Sequence, residues 1–323
     1  MDQPMTQQHL VLKGVLAIIV SSFLWGTTGT AASFAPDISA LAIGAFAMGG
    51  GGVLLVLHAR RTLWLDRAIL WANPAYLWAG GLSVAIYPLA FYSSMRLSGV
   101  AVGTVVSIAS APLFTVILEC LISKKRLSLR WCVSFAIAAV GITLLAFSQH
   151  QGTVLLTGAS ERTLGVLLGL MAGLSYATYS WAAKHMIEQG VHSRSAMSSM
   201  FGLAALVLLP SLSLTGDHLL ASPVNISVAL YMAIVPMFLG YVGFSYGLRH
   251  IEASKATLLT LIEPVVAMLL AVVIVGERFQ WIGWLGMGLI LLGLMLQMVP
   301  LPVFRKSKAR LPEAPSVSSS AMD

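Results

Sequence analysis

Runs of about 20 apolar residues, the length that carries an α-helix across a bilayer core, recur along this chain with only short polar stretches between them. They fall at Gly14–Phe34, Ile38–Leu57, Pro74–Met95, Val100–Ile122, Trp131–Phe147, Leu164–Ala183, Ala196–Leu214, Ile226–Leu248, Ala256–Val275 and Trp281–Val299. Such a division leaves no room for an extramembrane domain of useful size. Composition agrees: only 10% of the 323 residues are charged, against about 25% in soluble domains, and mean hydropathy is +0.87. The expected fold class is an all-α polytopic membrane protein with ten transmembrane helices, because a spanning helix satisfies its backbone polar groups within itself.

The net charge of +7 could point to nucleic acid, but the placement of the basic residues follows topology instead. With the N-terminus in the cytoplasm, the inner segments hold Lys13; Arg60, Arg61 and Arg67; Lys124, Lys125, Arg126 and Arg130; Lys184 and Arg194; Arg249 and Lys255; and Arg305, Lys306, Lys308 and Arg310. These are sixteen of the nineteen Lys and Arg residues, leaving Arg96, Arg162 and Arg278 for the other side. Positive charge in short loops is retained in the cytoplasm, so both termini are expected inside, and no nucleic-acid partner is expected. The cytoplasmic tail, 300–323, carries Pro312, Pro315 and several serines and is expected to be disordered. Cys120 and Cys132 lack CxxC spacing, so no disulfide framework, metal or cofactor is expected. The first run has Lys13 before it and Ala31-Ala32-Ser33 after it, as a cleaved leader would, but its apolar length reads as a retained helix.

The chain also resembles itself. A shift of 151 lays Lys13-Gly14-Val15-Leu16 on Leu164-Gly165-Val166-Leu167, Trp25 on Tyr176, and Ala31-Ala32 on Ala182-Ala183; a shift of 152 lays Ala111-Pro112 on Glu263-Pro264 and Gly141 on Gly293. Two copies of five helices, at 14–147 and 164–299, are therefore expected. Five is odd, so the second copy enters the membrane from the opposite side, and inverted repeats of this kind build secondary transporters with a midplane site between the halves.

Ten spans in two halves, the Trp25-Gly26 pair, and Glu263-Pro264-Val265-Val266-Ala267 followed by Gly276-Glu277-Arg278 resemble the EamA-type transporters of the drug/metabolite transporter superfamily. The resemblance covers roughly residues 10–300. It implies a carrier of small organic solutes, including amino acids, working through a central cavity in the inner membrane. The sequence departs from the pattern in one place: Lys124-Lys125-Arg126 stands where the first half of many members carries an acidic residue matching Glu277.

Glu263 is the sharpest candidate, since an ionisable group near the bilayer centre normally faces a cavity or a partner. It could carry a coupling proton, attract a cationic substrate group, or repair the backbone broken at Pro264 together with the Thr260 hydroxyl. Trp25 and Thr28 share a face of the first helix and match Tyr176 and Tyr179 in the second copy. Aromatic rings with polar handles there would line a surface for a small amphipathic or aromatic solute. Tyr87, before Pro88, and Tyr241 are similar candidates, and Ser107, with Ser110 before Pro112, would bond either a loosened backbone or substrate. The expected site lies between helices one, three, four, six, eight and nine, with a small solute, the lipid bilayer and a coupling proton as partners.

Other features read structurally. Glu119, close to Lys124 and Arg126, is expected to snorkel and pair locally. Arg249, His250, Glu252 and Lys255 form a solvated turn. Gly49–Gly52 lack the Lys and Ser/Thr of a phosphate loop and, like Gly165, Gly169 and Gly173, are expected at close helix contacts. Gly243-Phe244-Ser245-Tyr246-Gly247 spells a nucleophile elbow but lies inside an apolar helix, and every histidine falls in a loop or at a helix end, so no catalytic residue is expected. A membrane enzyme or receptor-like subunit would need a catalytic pair at one depth or a sizeable outer domain, and the sequence supplies neither.

Overall fold

The computed structural model describes residues 3–148, 159–276 and 278–298, and no strand occurs among them. Ten helices are long and apolar enough to cross a membrane: α1 (Gln7–Ser33), α2 (Ala40–Ala72), α3 (Pro74–Ser98), α4 (Val102–Leu121), α5 (Leu129–Ser148), α6 (Ser160–Glu188), α7 (Ser193–Thr215), α8 (Pro223–His250), α9 (Ala253–Val275) and α10 (Trp281–Met298). Each overlaps one expected run. Glu277, Val299 and the tail 300–323 lie outside the described residues.

Several helices overrun their expected ends, α2 the furthest. At 1.5 Å per residue α2 is about 50 Å long, well beyond a ~30 Å hydrocarbon core, so Arg60, Arg61 and Arg67 stand on a helical extension rather than in a loop. Nothing stops the helix until Asn73, which is forced from helical geometry by Pro74. Arg67 stabilises the extension by lying 4.1 Å over the Trp64 ring and donating to the Trp64 carbonyl at 2.8 Å. Likewise α6 continues past Ala183, which makes Lys184 a helical residue.

Three helices are broken where the sequence reads as continuous. The α-helical turns of α1 end at Gly26, and Thr28–Ser33 resume after a turn at Thr27. In lipid a freed carbonyl needs a donor; Thr27 Oγ1 donates to Leu24 O at 2.6 Å and Thr28 Oγ1 to Trp25 O at 2.7 Å. Around Pro236, α8 widens into a π-helical segment, Ala233–Leu239, in which the Gly240 N–H reaches back five residues to Val235 O. In front of Pro264, α9 narrows to a 3₁₀ turn at Thr260–Ile262, and it ends at Gly276, whose φ of +82° favours glycine.

Packing brings α3 against α6 and α1 against α8, α4 against α6 and α1 against α9, and pairs α2 with α7, α5 with α10 and α4 with α9. Exchanging the first five helices with the last five, in order, maps every one of these contacts onto another or onto itself. The glycine runs sit where helices meet closely: Gly49, Gly51 and Gly52 against α7 and α8, Gly165, Gly169 and Gly173 against α3 and α4, and Gly243 and Gly247 against Ser21 and Ile18 of α1.

The bundle has two unlike ends. One, the basic end, gathers Lys13, Arg60, Arg61, Arg67, the 122–128 segment, Arg194, Arg249 and Lys255. The other, the opposite end, carries the links 34–39, 99–101 and 216–222 and the start of α10. Large buried side chains, among them Phe201, Phe244, Met186, Met197, Met200 and Leu248, fill the core toward the basic end.

Candidate functional site

Glu263 lies about midway along α9, the first residue after the 3₁₀ turn, and faces a cavity lined by Trp25 and Thr28 of α1, Tyr87, Phe91 and Tyr92 of α3, Tyr176 and Tyr179 of α6, and Tyr241 of α8. The residues expected from the sequence thus meet around one space, Ser107 and Thr260 excepted. Ser107 is buried where Gly173 of α6 presses on α4, and it lines neither of the two cavities that Glu263 faces. Thr260 stands just behind the wall: Tyr176 Oη donates to its hydroxyl at 3.1 Å, and that hydroxyl donates to Thr257 O at 2.8 Å.

The rings hold one another. Trp25 packs on Tyr241 at 4.8 Å between centroids, Tyr176 on Tyr179 at 5.2 Å, and Tyr87 on Tyr176 at 5.8 Å. Contacts of this kind are worth about 0.5–1.5 kcal/mol each beyond burial. Hydrogen bonds fix their orientation. Trp25 Nε1 donates to Pro236 O at 2.8 Å, inside the π-helical segment of α8, and Tyr179 Oη pairs with Tyr241 Oη at 2.8 Å. Two glycines allow this approach: a Cβ on Gly240 would come within 2.6 Å of Trp25 Nε1, and one on Gly26 within 2.9 Å of Glu263 O.

The space is continuous in lining with a second one. A cavity of about 70 Å³ among the tyrosines shares Trp25, Thr28, Phe91, Tyr92, Met232 and Glu263 with a cavity of about 380 Å³ that runs along Gly29, Ser33, Met95, Ala146 and Ala271 to Val275 and Phe279. The larger one reaches the ends of α1 and α9, so the site communicates with the opposite end and not with the basic one. A 300–1,000 Å³ space is typical for a small organic ligand. A separate groove of about 640 Å³, bounded by Thr27, Phe34, Val228, Tyr231 and Leu270, has no charged lining and lies on the flank of the bundle.

Between the site and the basic end the helices are closed by polar contacts that local sequence did not indicate. Glu119, expected to snorkel, is only 4% exposed and accepts the Ala253 N–H at the start of α9 at 3.1 Å. A carboxylate there also meets the positive end of the helix dipole. Lys125 lies 3.9 Å from Glu119 and 2.8 Å from Glu188. Lys184, expected in a cytoplasmic loop, is buried and donates to Leu248 O at the end of α8 at 2.9 Å. Trp131 Nε1 donates to Ser254 O at 3.1 Å, and Trp181 Nε1 to Ser123 Oγ at 2.9 Å. The 249–255 turn, expected to be solvated, is so only in part: Arg249 is exposed and Glu252 and Lys255, paired at 3.0 Å, are half-buried, while Ile251, Ala253 and Ser254 are buried.

Residues that sequence reading missed are Phe91, Tyr92, Met48, Met232 and Met237. Phe91 stands one helical turn after Tyr87, so the i,i+4 spacing could have found it; the methionines carry no such signal.

A model of the EamA-like transporter family matches residues 12–147 and again residues 163–299. A Bacillus subtilis (strain 168) protein named as an uncharacterized transporter, YwfM, is 33% identical over 284 residues, covering 87% of this chain and 92% of its own. A Salmonella typhimurium protein whose name is "Probable amino-acid metabolite efflux pump" is 27% identical over 243 residues, covering 71% of this chain and 78% of its own. A solved crystal structure superposes with a TM-score of 0.73 over 88% of this chain and 96% of that one, at 18% identity, which shows the same fold. With the family model matched twice across nearly all of the helical bundle, the chain belongs to the EamA-like transporter family of the drug/metabolite transporter superfamily, a multi-pass membrane transporter and not an enzyme.

Proposed function

We propose that this protein is a secondary carrier that exports a small organic solute across the inner membrane by alternating access, with two inverted five-helix repeats rocking about Glu263 and both termini in the cytoplasm. The observation that carries this reading is the asymmetry of the cavity: it reaches one end of the bundle while buried charge and aromatic contacts close the other. A carrier in one of its two end states has that form. The exchange relation among helix contacts and the doubled family match support the repeats, 14–147 and 164–299. The gathering of Lys and Arg at the closed end supports a cytoplasmic assignment for it, and the efflux pump among the relatives supports the direction.

In this reading Glu263 is also where a coupling proton would bind, being a carboxylate near mid-membrane with rings around it. The test is flux in proteoliposomes. Solute accumulation driven by a pH gradient in the wild type, lost in Glu263→Gln while exchange continues, is the expected result. Covalent change of a solute without vectorial movement, or full accumulation by the Gln variant with unchanged pH dependence, would overturn it.

A further inference from the structure

The composition of the cavity wall is one-sided. Among the described residues that line the two connected spaces, Glu263 is the only charged one, and no described Lys, Arg or His lines either of them. Among the described residues Glu263 has no hydrogen-bond or ion-pair partner, whereas the buried carboxylate Glu119 is bonded to the start of α9. A charge taken out of water is stable only when paired, so an ionised Glu263 is a site awaiting a cation. Most donors an anion would need are already engaged: Trp25 Nε1 with Pro236, Thr28 Oγ1 with Trp25 O, Tyr176 Oη with Thr260, and one of the Tyr179 and Tyr241 hydroxyls with the other. Among the described lining residues, the hydroxyls of Tyr87, Tyr92 and Thr30 remain without a bond of this kind, as does the proton of whichever of Tyr179 and Tyr241 accepts. What the wall offers beside the carboxylate is ring faces, which attract cations through their quadrupole, more strongly when water is excluded.

We propose that the site recognises an organic monocation, an amine or quaternary ammonium bearing an apolar or aromatic body, with the cationic head at Glu263 within the rings of Trp25, Tyr87 and Tyr176 and the body extending into the larger cavity past Gly29 and Ala271. Solutes that carry a carboxylate, free amino acids included, are disfavoured, because their anionic group would sit beside Glu263 with no base to receive it. This rests on the transport reading of the same cavity and narrows its substrate class.

Equilibrium binding to the full chain in detergent micelles separates the two. The probes share a phenyl ring and differ in charge: phenyltrimethylammonium and phenethylamine as cations, phenylalanine as zwitterion, 3-phenylpropionate as anion. Both cations should bind roughly tenfold or more tightly than the zwitterion and the anion, the discrimination expected of a desolvated carboxylate with cation–π support. Glu263→Gln should weaken phenyltrimethylammonium, whose charge is permanent, by a similar factor, while Trp284→Ala, on the exposed side of α10, leaves it unchanged. Should the Gln variant fail to fold, Tyr87→Leu takes its place and the four-probe ranking on the native chain still decides. Equal or tighter binding of phenylalanine or phenylpropionate, or no cation binding, overturns the proposal. Cation binding without flux in vesicles would overturn the transport reading and leave the site standing; flux of phenylalanine with no cation binding would do the reverse.

Discussion

At the basic end of the bundle the helices are joined by buried charge, whereas at the opposite end they are joined by apolar side chains and close glycine contacts. The first arrangement uses Glu119 on the α9 N-terminus, Lys184 on the α8 C-terminus and Lys125 between Glu119 and Glu188. The second packs Ala35, Ile38, Ala42 and Ile43 on Leu219, Val228 and Ala229, with Ser39 Oγ bonded to Thr215 O, and leaves the flank bounded by α1, α4, α5 and α9 open as the large cavity. The ion pairs between described residues all belong to the basic end. Charged contacts of this sort are strong when formed and costly when half-formed, so they favour two discrete states, closed or fully separated and hydrated. That is the behaviour a gate requires, and loose apolar packing does not supply it.

The comparison breaks most readily at Glu119. Glu119→Ala leaves the buried Ala253 N–H without its acceptor, a loss of roughly 1.5–3 kcal/mol for a charged hydrogen bond, and should shift the population toward opening at the basic end. Cys120, which lines the small polar cavity there, reports on it. In a Cys132→Ser background its reaction with a membrane-impermeant maleimide should accelerate by about tenfold or more, and an unchanged rate would show that Glu119 closes nothing.

Next in size is Gly240→Val. Its side chain must displace the Trp25 indole from Pro236, and overpacking of this kind costs about 1–3 kcal/mol, read as a lower melting temperature. Gly288→Val on α10, where a Cβ meets nothing within 4 Å, is the control and should be tolerated. A smaller contrast separates the site from the lipid face. Trp25→Ala and Tyr179→Ala should weaken substrate affinity, each by an amount corresponding to about 0.5–3 kcal/mol, where Trp284→Ala does not. Equal losses at all three positions would misplace the site.

The smallest effect is expected at Lys255. Burial opposes the charge of Glu252, but the hydrogen bond from Lys255, its charge, and the more distant Lys125 and Lys184 hold its carboxyl below the usual range. The pair nevertheless stays about half in solvent, and pairs that water reaches contribute about 0–1 kcal/mol. Lys255→Ala should therefore leave Cys120 labelling within about twofold of wild type, the scale of a few tenths of a kcal/mol. A change as large as that of Glu119→Ala would mean that the closure extends into the 249–255 turn.

Much of this was legible in the sequence because the membrane imposes it. Ten runs of spanning length became ten helices, and Trp25, Thr28, Tyr176 and Tyr179, matched by shifting the chain on itself, line one cavity with Glu263, singled out as an ionisable group near mid-membrane. What stayed hidden has two physical causes. Hydropathy reports length and not backbone continuity, so the turn at Thr27 and the 3₁₀ segment at Thr260–Ile262 are invisible to it: threonine hydroxyls repair these breaks without changing apolarity. Charge near a helix end looks solvated from sequence alone. Besides their neighbours Lys125 and Glu188, Glu119 and Lys184 bond partners 134 and 64 residues away, and these are backbone groups at helix termini, which carry no residue signature.

Locking the basic end tests the central claim most directly. In a background lacking Cys120 and Cys132, cysteines at Lys125 and Glu188, whose side chains meet at 2.8 Å, can be joined by a short cleavable bifunctional reagent and the protein reconstituted in vesicles. The joined carrier is expected to retain substrate binding from the opposite end, to lose vectorial flux, and to regain it when the linker is cleaved. Flux at the rate of the unjoined protein with the linker in place would contradict alternating access through this end.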